Sequence, residues 1–533
     1  MLLQLAIVSE LVESKHSSNV CRRTLWTLAF GLLVTSCLAQ TITANFDSRS
    51  GTTHSIPPRI FGINSVTTLD DDTISQLQQA GITEARTMAN IPIVYASTTA
   101  DWSSFDWTMN LLQSQGLHPL VTVLGSPSWL QPSANPCVAS GSPSYYAPPS
   151  NVNQWANIAA SYVAHLDATF PGLVHDFEIW NEPELQKSFC VSDNLDSTRL
   201  STYLSMYAAA ASAMHAQAAQ DGSHIRVGGP VVSNFTLAKE WIPALLSNPG
   251  TYPYADFISY HMYLTGQGQV GDGMNWSQLY AFTQSTTRGE SLYFLEDTAL
   301  IRAGKQVTPR STPIYITEFN DNWVFAQDCC RNDPTYGPLW NTVAVVDFLN
   351  TVYAGANSVP TKLFYFAGSA PPYFCIVGQW NSTMNCDPSA LDFYPQYYAY
   401  QLLASSSYLD LSAGGHMAAS VSDANTQTGL LATAFYTSGQ DSIVIVNPSG
   451  TAYPSVVVQA RGTGYLSPSA TLYTLNQANP KIASGFLTLN VMAGGYQATV
   501  SVPAYSTVAV TLMPSQAPVA GRQPSFDQPE AIY

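Results

Sequence analysis

The sequence predicts an α/β fold, a closed barrel of eight parallel strands with a C-terminal β-sandwich, from two patterns. Strand-like and helix-like segments alternate between about residues 58 and 400, as they do in a parallel sheet with crossover helices. After about residue 400, short strands with alternating apolar residues and turn signals replace the helices, which is typical of a β-sandwich. Eight strands in the first region match a (β/α)8, or TIM, barrel with enlarged loops.

The predicted barrel strands are short apolar segments that end at proline, glycine or polar turn residues. They cover residues 59–64, 82–87, 118–124, 174–181, 225–229, 256–263, 313–318 and 362–367. The predicted helices between them include residues 73–80, 107–115, 152–169 and 198–220. The connection of residues 264–312 is longer than a crossover requires, so we expect it to hold a helix and an insertion that walls the cleft.

These patterns divide the chain into five predicted parts. Residues 1–39 are a signal-peptide region, and residues 40–57 contain a strand that joins the sandwich. Residues 58–400 form the barrel and residues 401–515 the sandwich. Residues 516–533, rich in Pro and Gln, are predicted to be a disordered tail.

The N-terminal region has the form of a secretory signal. Arg22 and Arg23 precede an apolar run over residues 25–34, and the small residues that end at Ala39 fit cleavage by signal peptidase. The run is short for a membrane span, so none is expected. An alternative is a lipoprotein box that would leave Cys37 acylated and the protein anchored by lipid. We therefore predict an exported protein, either extracellular or periplasmic.

Two of the eight cysteines lie in the first 39 residues, which leaves six in the exported chain: Cys137, Cys190, Cys329, Cys330, Cys375 and Cys386. An even number in an exported chain favours disulfides. We expect Cys375 and Cys386 to close a short loop, and the pairing of the other four is open. All six follow predicted strands, so the disulfides would brace loops on the face where the strands exit. Metal-ligand spacing is absent from the sequence, which argues against a zinc site.

The charge balance is acidic, with 19 Lys and Arg against 35 Asp and Glu and a net charge of −16. Nucleic acid and anionic membrane surfaces would be repelled by this charge. A chain with 29 Tyr and 11 Trp suits a surface that handles neutral carbohydrate, although aromatic residues also fill large cores. We expect an oligosaccharide or polysaccharide as the partner, and no nucleic acid.

Two glutamates stand at the ends of predicted strands. Glu182 follows the fourth strand in an Asn-Glu-Pro turn, and Glu318 ends the seventh. In a parallel barrel the carboxyl ends of the strands form the floor of the active site, so both side chains are predicted to converge there. Retaining glycosidases need two such carboxyl groups about 5–5.5 Å apart, one protonated and one ionised. The pair predicts cleavage of a glycosidic bond by double displacement, without a cofactor or a metal.

Further polar residues near these strand ends are candidates for substrate binding or for orienting the glutamates. Asn181 adjoins the predicted acid, and Arg86, His261 and Tyr263 end the second and sixth strands. Trp129 and Trp323, and with them Trp276, are loop aromatics suited to stacking on a sugar ring. A His-x-Tyr pair is more often a satisfied core pair. Glu178 lies deeper on the fourth strand and is expected to pair with a base such as Arg86.

These motifs resemble those of the clan A retaining glycoside hydrolases, whose acid/base follows Asn at the end of strand four and whose nucleophile ends strand seven. The segments FEIWNEP at residues 177–183 and ITEFN at residues 316–320 are most similar to family 39, the β-xylosidase and α-iduronidase group. That family also carries a β-sandwich beside the barrel. The resemblance implies that Glu182 is the acid/base and Glu318 the nucleophile.

One segment departs from the family pattern. Family enzymes commonly place a tryptophan at the end of strand eight as a platform for the sugar, whereas this chain reads LFYFAG at residues 363–368. This difference bears on which sugar the innermost subsite accepts.

Three alternatives to a β-xylosidase-like enzyme remain at the level of sequence. Within the class, they are a glucuronidase of the family 79 type, which would need a cationic clamp for the uronic acid, and an endo-acting glucanase or xylanase. From another class, the chain would be a carbohydrate-binding protein without catalysis, although both carboxylates of an enzyme are present.

Overall fold

The computed structural model describes most of the predicted barrel and sandwich. The described residues are 40–47, 55–64, 71–233, 235–265, 275–286, 313–322, 335–355, 360–366, 376, 379–380, 386–387, 395–422, 429–437, 439–463, 469–476 and 478–513. The predicted signal peptide with Cys37 and the predicted C-terminal tail fall outside these residues, as do Trp323, Cys329, Cys330 and Cys375. In the described part, no helix is long and apolar enough to cross a membrane.

Eight parallel strands close into a barrel, which confirms the predicted fold class. Two short strands, β1 (Gln40–Asn45) and β2 (Ser55–Ile56), precede it. The barrel strands are β3 (Phe61–Asn64), β4 (Glu84–Asn90), β5 (His118–Leu124), β6 (Asp176–Ile179), β7 (Arg226–Val232), β8 (Phe257–Thr265), β9 (Ile314–Asn322) and β10 (Pro360–Tyr365). Neighbours along the chain pair with each other, and β10 pairs with β3 to complete the ring.

Helices connect the strands on the outside of the barrel. The described helices are α1 (Asp71–Gln79), α2 (Ile91–Val94), α3 (Ser103–Ser114), α4 (Pro136–Ser140), α5 (Val152–Thr169), α6 (Asp196–Asp221), α7 (Phe235–Ser247), α8 (Trp276–Thr286), α9 (Tyr336–Gly355) and α10 (Pro395–Ala404). Short 3-10 turns lie at Ser128–Leu130, Ser144–Tyr146, Tyr252–Tyr254 and Leu411–Ala413. Helix α5 begins where the Asn151 side chain accepts a hydrogen bond from the Gln154 amide. Helix α6 ends at Gly222 in the left-handed conformation.

Strand β6 is shorter than predicted, and its backbone gives the reason. The ladder ends at Ile179, whereas the apolar pattern predicts a strand through residue 181. Trp180 and Glu182 have positive φ angles of 70° and 48°, a region that non-glycine residues seldom occupy. The chain therefore leaves the sheet before Asn181, and the turn directs the Asn-Glu pair over the end of the barrel.

The middle of the barrel is filled by an apolar layer. Leu120, Phe257, Tyr315 and Phe364 form one buried cluster, in which the Phe257 and Tyr315 rings stack with centroids 4.2 Å apart. Glycines on neighbouring strands make room for the large rings. A Cβ at Gly228 would lie 2.2 Å from the Phe257 ring, so only glycine fits there. The layer makes the barrel a packed core and closes the floor of the site above it.

Below this layer, at the amino ends of the strands, lies a buried ionic network. Lys362 Nζ is 2.5 Å from Glu84 and 2.9 Å from Asp176, and Arg226 binds both oxygens of Asp176 at 2.7 and 2.9 Å. Burial alone would raise the pKa of Asp176, but Lys362 and Arg226 lower it. These charges hold the first residues of four barrel strands together.

Two sheets form the β-sandwich. After a hairpin of β11 (Gln379–Trp380) and β12 (Cys386–Asp387), its strands are β13 (Gly415–Met417), β14 (Ser420–Val421), β15 (Leu431–Tyr436), β16 (Asp441–Asn447), β17 (Tyr453–Arg461), β18 (Ser469–Asn476), β19 (Asn479–Thr488), β20 (Asn490–Met492), β21 (Gly495–Val502) and β22 (Ser506–Leu512). One sheet has the order β14-β1-β17-β21-β20 and the other β19-β18-β22-β16-β15-β13-β2. Strand β1 lies parallel to β17, so segments that precede and follow the barrel in the sequence both contribute to the sandwich.

The barrel and the sandwich share one hydrophobic core. Phe435 and Val444 of the sandwich belong to the same buried cluster as the barrel residues. Trp276 is part of this contact, because its indole N–H donates to the carbonyl of Pro448 at 2.6 Å and its ring stacks on Tyr336. The expectation that Trp276 is a loop aromatic for sugar stacking is therefore wrong, since the residue begins helix α8 and is only 4% exposed.

Candidate active site

The two strand-end glutamates lie together at the mouth of the barrel. Glu182 follows β6 and Glu318 lies within β9, on the far side of the ring. One carboxylate oxygen of each, together with Nδ1 of His261 on β8, all lie within 4.8 Å of one another. Glu318 is almost fully buried, whereas the Glu182 side chain is 20% exposed. The two carboxylates therefore share one pocket, and Glu182 lies nearer its opening.

Arg86 on β4 ties three polar groups of this pocket together. Its guanidinium donates to Glu178 at 2.6 Å, to Glu318 at 2.9 Å and to the Asn181 side-chain oxygen at 2.8 Å. Arg86 is fully buried, so its charge is balanced by these carboxylates and not by water. Glu178 also accepts from Thr122 at 2.9 Å. Because the Asn181 side-chain oxygen accepts from Arg86, the NH2 group of this side chain is the end that can donate to a ligand.

Tyr263 on β8 and the end of β10, the eighth strand of the barrel, complete the wall beside Glu318. The Tyr263 hydroxyl donates to Glu318 Oε2 at 2.5 Å, on the oxygen that Arg86 does not contact. The Tyr263 ring packs edge-on against Phe366, with centroids 6.1 Å apart. Phe366 directly follows β10, and this is the position at which family enzymes are expected to carry a tryptophan. The Asn320 side chain donates a hydrogen bond to the Phe366 carbonyl. Both oxygens of Glu318 are fixed by donors on opposite sides.

His261 lies between the two glutamates. Its Nδ1 is 3.1 Å from Glu182 Oε1 and 3.4 Å from Glu318 Oε2. Burial would lower the pKa of His261, but the negative charge of Glu318 and the hydrogen bond and charge of Glu182 raise it above the ordinary value. The two glutamates therefore favour the protonated form of His261, which lies in contact with both of them.

The environment of Glu182 shifts its pKa in the opposite direction, below the ordinary value. Burial would raise the pKa of Glu182, but the hydrogen bond and charge of His261 lower it. Glu182 is fixed by its backbone as well, because its amide donates to the Val231 carbonyl at 3.0 Å. Val231 lies within β7, at a register shift between Pro230 and Val232, and has a positive φ of 60°. The contact between Glu182 and His261 thus favours the ionised carboxylate and the protonated imidazole.

Glu182, His261 and Glu318 are also the residues whose donor atoms converge enough, within the part of the chain described, to hold a metal ion. The chemistry of their surroundings fits that use poorly. The buried guanidinium of Arg86 donates to Glu318 from 2.9 Å and would lie beside the bound cation. A cationic His261 could not serve as a ligand without losing its proton.

Of the sequence-predicted residues, Glu182, Glu318, Asn181, Arg86, His261 and Tyr263 are brought together by the fold. Trp129 lies in the loop after β5, partly buried, and its indole N–H donates to the Tyr95 carbonyl at 3.0 Å. Part of this ring packs against the barrel core. Trp323 lies outside the described residues, so its role stays a prediction.

Sequence reasoning missed a group of residues in the loops after β5 and β6. Cys137 and Cys190 form a disulfide between these two loops, and the pair Tyr145 and Tyr146 lies beside it. The charge of Glu182 contributes to a raised pKa of Tyr146, after burial and the neighbouring Tyr145. The only signal in the sequence was the Tyr-Tyr dipeptide within a Pro/Ser-rich loop, which has no periodicity.

The fold and its site define a class, the clan A glycoside hydrolases, which retain the configuration of the sugar they cleave. The family model "Glycosyl hydrolases family 39" matches residues 89–446, more than half of the chain, and the protein belongs to this family.

Solved structures with the same fold are enzymes of this class. A GH39 β-xylosidase from Caulobacter crescentus has a TM-score of 0.60 at 15% identity, over 89% of this chain and 100% of that one. A GH30 endoxylanase from Clostridium papyrosolvens C71 has a TM-score of 0.59 at 14% identity, over 89% and 100%. The GH39 enzyme from Xanthomonas axonopodis pv. citri has a TM-score of 0.58 at 14% identity, over 90% and 98%. At these identities the similarity shows the fold.

Proposed function

We propose that the protein is an exported β-glycosidase, β-xylosidase-like in its substrate, that uses Glu318 as nucleophile and Glu182 as acid/base. The observation that carries this proposal is the convergence of the two carboxylates, with His261, within 4.8 Å at the carboxyl ends of the barrel strands. This spacing suits direct attack on the anomeric carbon and is too short for the intervening water of an inverting enzyme.

Glu318 is suited to be the nucleophile because hydrogen bonds to both of its oxygens fix its orientation. Arg86 donates to one of its oxygens and Tyr263 to the other. Both donors lie on different strands of a packed barrel, so the carboxylate does not have to reorganise when it attacks. As the covalent bond forms, the attacking oxygen loses its negative charge, and the hydrogen bond to that oxygen weakens.

Glu182 is suited to be the acid/base because a proton source is in contact with it. His261, whose pKa is raised by both glutamates, lies 3.1 Å from Glu182 Oε1 and is the group from which Glu182 takes a proton. Bound sugar would displace water from the partly exposed Glu182, which favours its neutral form. The proton then passes from His261 Nδ1 to Glu182 and from Glu182 to the leaving oxygen. In the second step Glu182 takes a proton from water as that water attacks the sugar–Glu318 ester.

The substrate is inferred from the relatives and from the lining of the pocket. Similar structures are a β-xylosidase and an endoxylanase, so a β-linked xylose is the first substrate to test. The Asn181 amide, held by Arg86, is placed to donate to a hydroxyl beside the anomeric carbon. A panel of aryl β-glycosides of xylose, glucose, galactose and glucuronic acid, together with xylan, decides the sugar and separates exo from endo action.

The role of Glu182 is tested by Glu182→Gln with leaving groups of different acidity. A leaving group such as 2,4-dinitrophenolate needs no proton, so kcat/KM for its β-xyloside should stay within a few-fold of wild type. For alkyl xylosides or xylobiose, kcat/KM should fall by about 10²–10⁴-fold, the usual contribution of a general acid. Glu240→Gln, a change at an exposed glutamate on α7, is the matched control. Equal losses on both substrates would argue against Glu182 as the acid.

A further inference from the structure

Two loops at the mouth of the barrel are locked to each other beside Glu182. The loop of residues 125–151 follows β5, and the loop of residues 180–195 follows β6 and begins with the Asn-Glu pair. The Cys137–Cys190 disulfide joins them, and both sulfurs are fully buried. Within the second loop, the Trp180 indole donates to the Ser188 carbonyl at 2.7 Å, which ties the glutamate turn to the disulfide end.

The Tyr145–Tyr146 dipeptide lies across this junction and is held from both sides. The Ser126 amide, just past the end of β5, donates to the Tyr145 carbonyl at 2.8 Å. The Cys190 amide donates to the Tyr146 carbonyl at 3.1 Å. The dipeptide belongs to the 3-10 turn Ser144–Tyr146. Through these two hydrogen bonds it also bridges the two loops.

Both tyrosine rings remain partly exposed although their backbone is fixed. The rings contact each other, with centroids 4.5 Å apart and planes tilted by 59°. Tyr145 reaches over Gly125 at the strand exit, because a Cβ on that glycine would lie 3.4 Å from its ring. Tyr146 packs on the disulfide and on Ala147. A pair of amphipathic rings, held by a fixed backbone and by contact with each other, is a surface that suits the face of a neutral sugar.

The position of the tyrosine pair relative to the two glutamates indicates which side of the scissile bond the pair faces. Tyr146 is joined to the loop that carries Glu182, because the Cys190 amide in that loop donates to its carbonyl at 3.1 Å, whereas the tyrosine that contacts Glu318 is Tyr263. An acid that protonates the leaving oxygen stands on the leaving-group side of the scissile bond. Groups next to the acid, at the opening of the pocket, therefore meet the part of the substrate that departs.

We propose that Tyr145 and Tyr146, held in place by the Cys137–Cys190 disulfide, form the subsite for the leaving group, which is a second sugar unit. The inference rests on the proposed function and assigns a binding role to residues outside the pocket of Glu318. The tyrosines contact the departing sugar and not the sugar that becomes attached to Glu318. Without the disulfide, the loop that carries Tyr146 and the loop that carries Glu182 are free to separate.

The test compares two substrates that differ only in what leaves. β-Xylosyl fluoride has a leaving group too small to reach the tyrosines, and xylobiose has a second xylose that would lie on them. In Tyr145→Ala and Tyr146→Ala, kcat/KM for xylobiose should fall about 10-fold, the effect of losing roughly 1.4 kcal/mol of ring contact, mostly through KM. Hydrolysis of the fluoride should be unchanged. The Tyr→Phe variants keep the rings and should retain most of the xylobiose activity.

The controls separate this inference from the function on which it rests. Tyr453→Ala, at a partly exposed tyrosine of the sandwich strand β17, should change neither substrate. The double variant Cys137→Ala/Cys190→Ala should show the same selective loss for xylobiose. Equal losses on both substrates, or no loss in the tyrosine variants, would overturn the subsite. A wild-type protein that cleaves neither xylosyl fluoride nor xylobiose, nor the glucosyl fluoride and cellobiose pair, would overturn the proposed function itself.

Discussion

At the residue scale, the chemistry depends on which of three neighbouring groups holds a proton. His261 contacts both glutamates, and each carboxylate raises the pKa of the imidazole, while His261 in turn lowers that of Glu182. Arg86 supplies a second, permanent positive charge on the other side of Glu318. Two carboxylates whose oxygens lie within 4.8 Å repel each other when both are charged. Arg86 and His261, which contact these carboxylates, offset that repulsion.

The charge of His261 predicts a pH dependence of stability. Because its folded pKa is raised above 6.5, the stabilisation from protonated His261 is complete below pH 6.5 and is lost as pH rises through the folded pKa. The difference in Tm between wild type and His261→Gln should therefore shrink steadily from pH 6.5 towards alkaline pH. Calorimetry at several pH values measures it. His224→Gln, at an exposed histidine, is the control, and a difference for His261→Gln that stays constant over this range would contradict the assignment.

At the scale of elements, three barrel strands carry most of the polar residues of the site: β4 carries Arg86, β8 carries His261 and Tyr263, and β9 carries Glu318. The sequence located both glutamates because an apolar run that stops at a polar turn marks a strand end. It missed Tyr145 and Tyr146 because a Pro/Ser-rich loop carries no period from which a side-chain direction follows. Trp276 was misassigned because its burial depends on a contact with Pro448, 172 residues away. Local patterns predict elements, but contacts between distant elements appear only in the fold.

The ionic network at the amino ends of the strands gives a prediction at this scale. Lys362 is 7% exposed and balances Glu84 and Asp176, so Lys362→Met would leave buried carboxylates short of a counter-charge. We expect a loss of about 3–5 kcal/mol in the free energy of unfolding, measured by chemical denaturation.

Two further variants separate the loss of the ionic network from the effect of replacing any lysine by methionine. Lys239→Met, at an exposed lysine on α7, should stay within about 0.5 kcal/mol of wild type. Adding Glu84→Gln to Lys362→Met should recover part of the loss, because it removes one uncompensated charge. Equal effects of the two lysine changes would show that the network contributes little.

At the scale of the whole molecule, barrel closure produces the site. Glu182 and Glu318 are separated by 136 residues, the difference of their numbers, and two strands of the ring, β7 and β8, lie between the strands that carry them. The sequence predicted that both lie on the strand-exit face, but their separation depends on the turn with positive φ at Trp180 and Glu182 and on closure of β10 against β3. The sandwich supports this closure through two helices of the barrel. Helix α9 packs against β15 and β16, and helix α10, which packs against α9, lies against β18 and β19.

Covalent trapping of the nucleophile tests the central claim most directly. A 2-deoxy-2-fluoro-β-xyloside with a 2,4-dinitrophenyl leaving group forms the glycosyl-enzyme quickly and releases it slowly, so peptide mapping by mass spectrometry can locate the adduct. The account predicts one fluoroxylosyl group on the peptide that contains Glu318, and none in Glu318→Gln. An adduct on Glu182 or Glu178, or turnover of ordinary xylosides that releases the inverted anomer with no adduct, would contradict it.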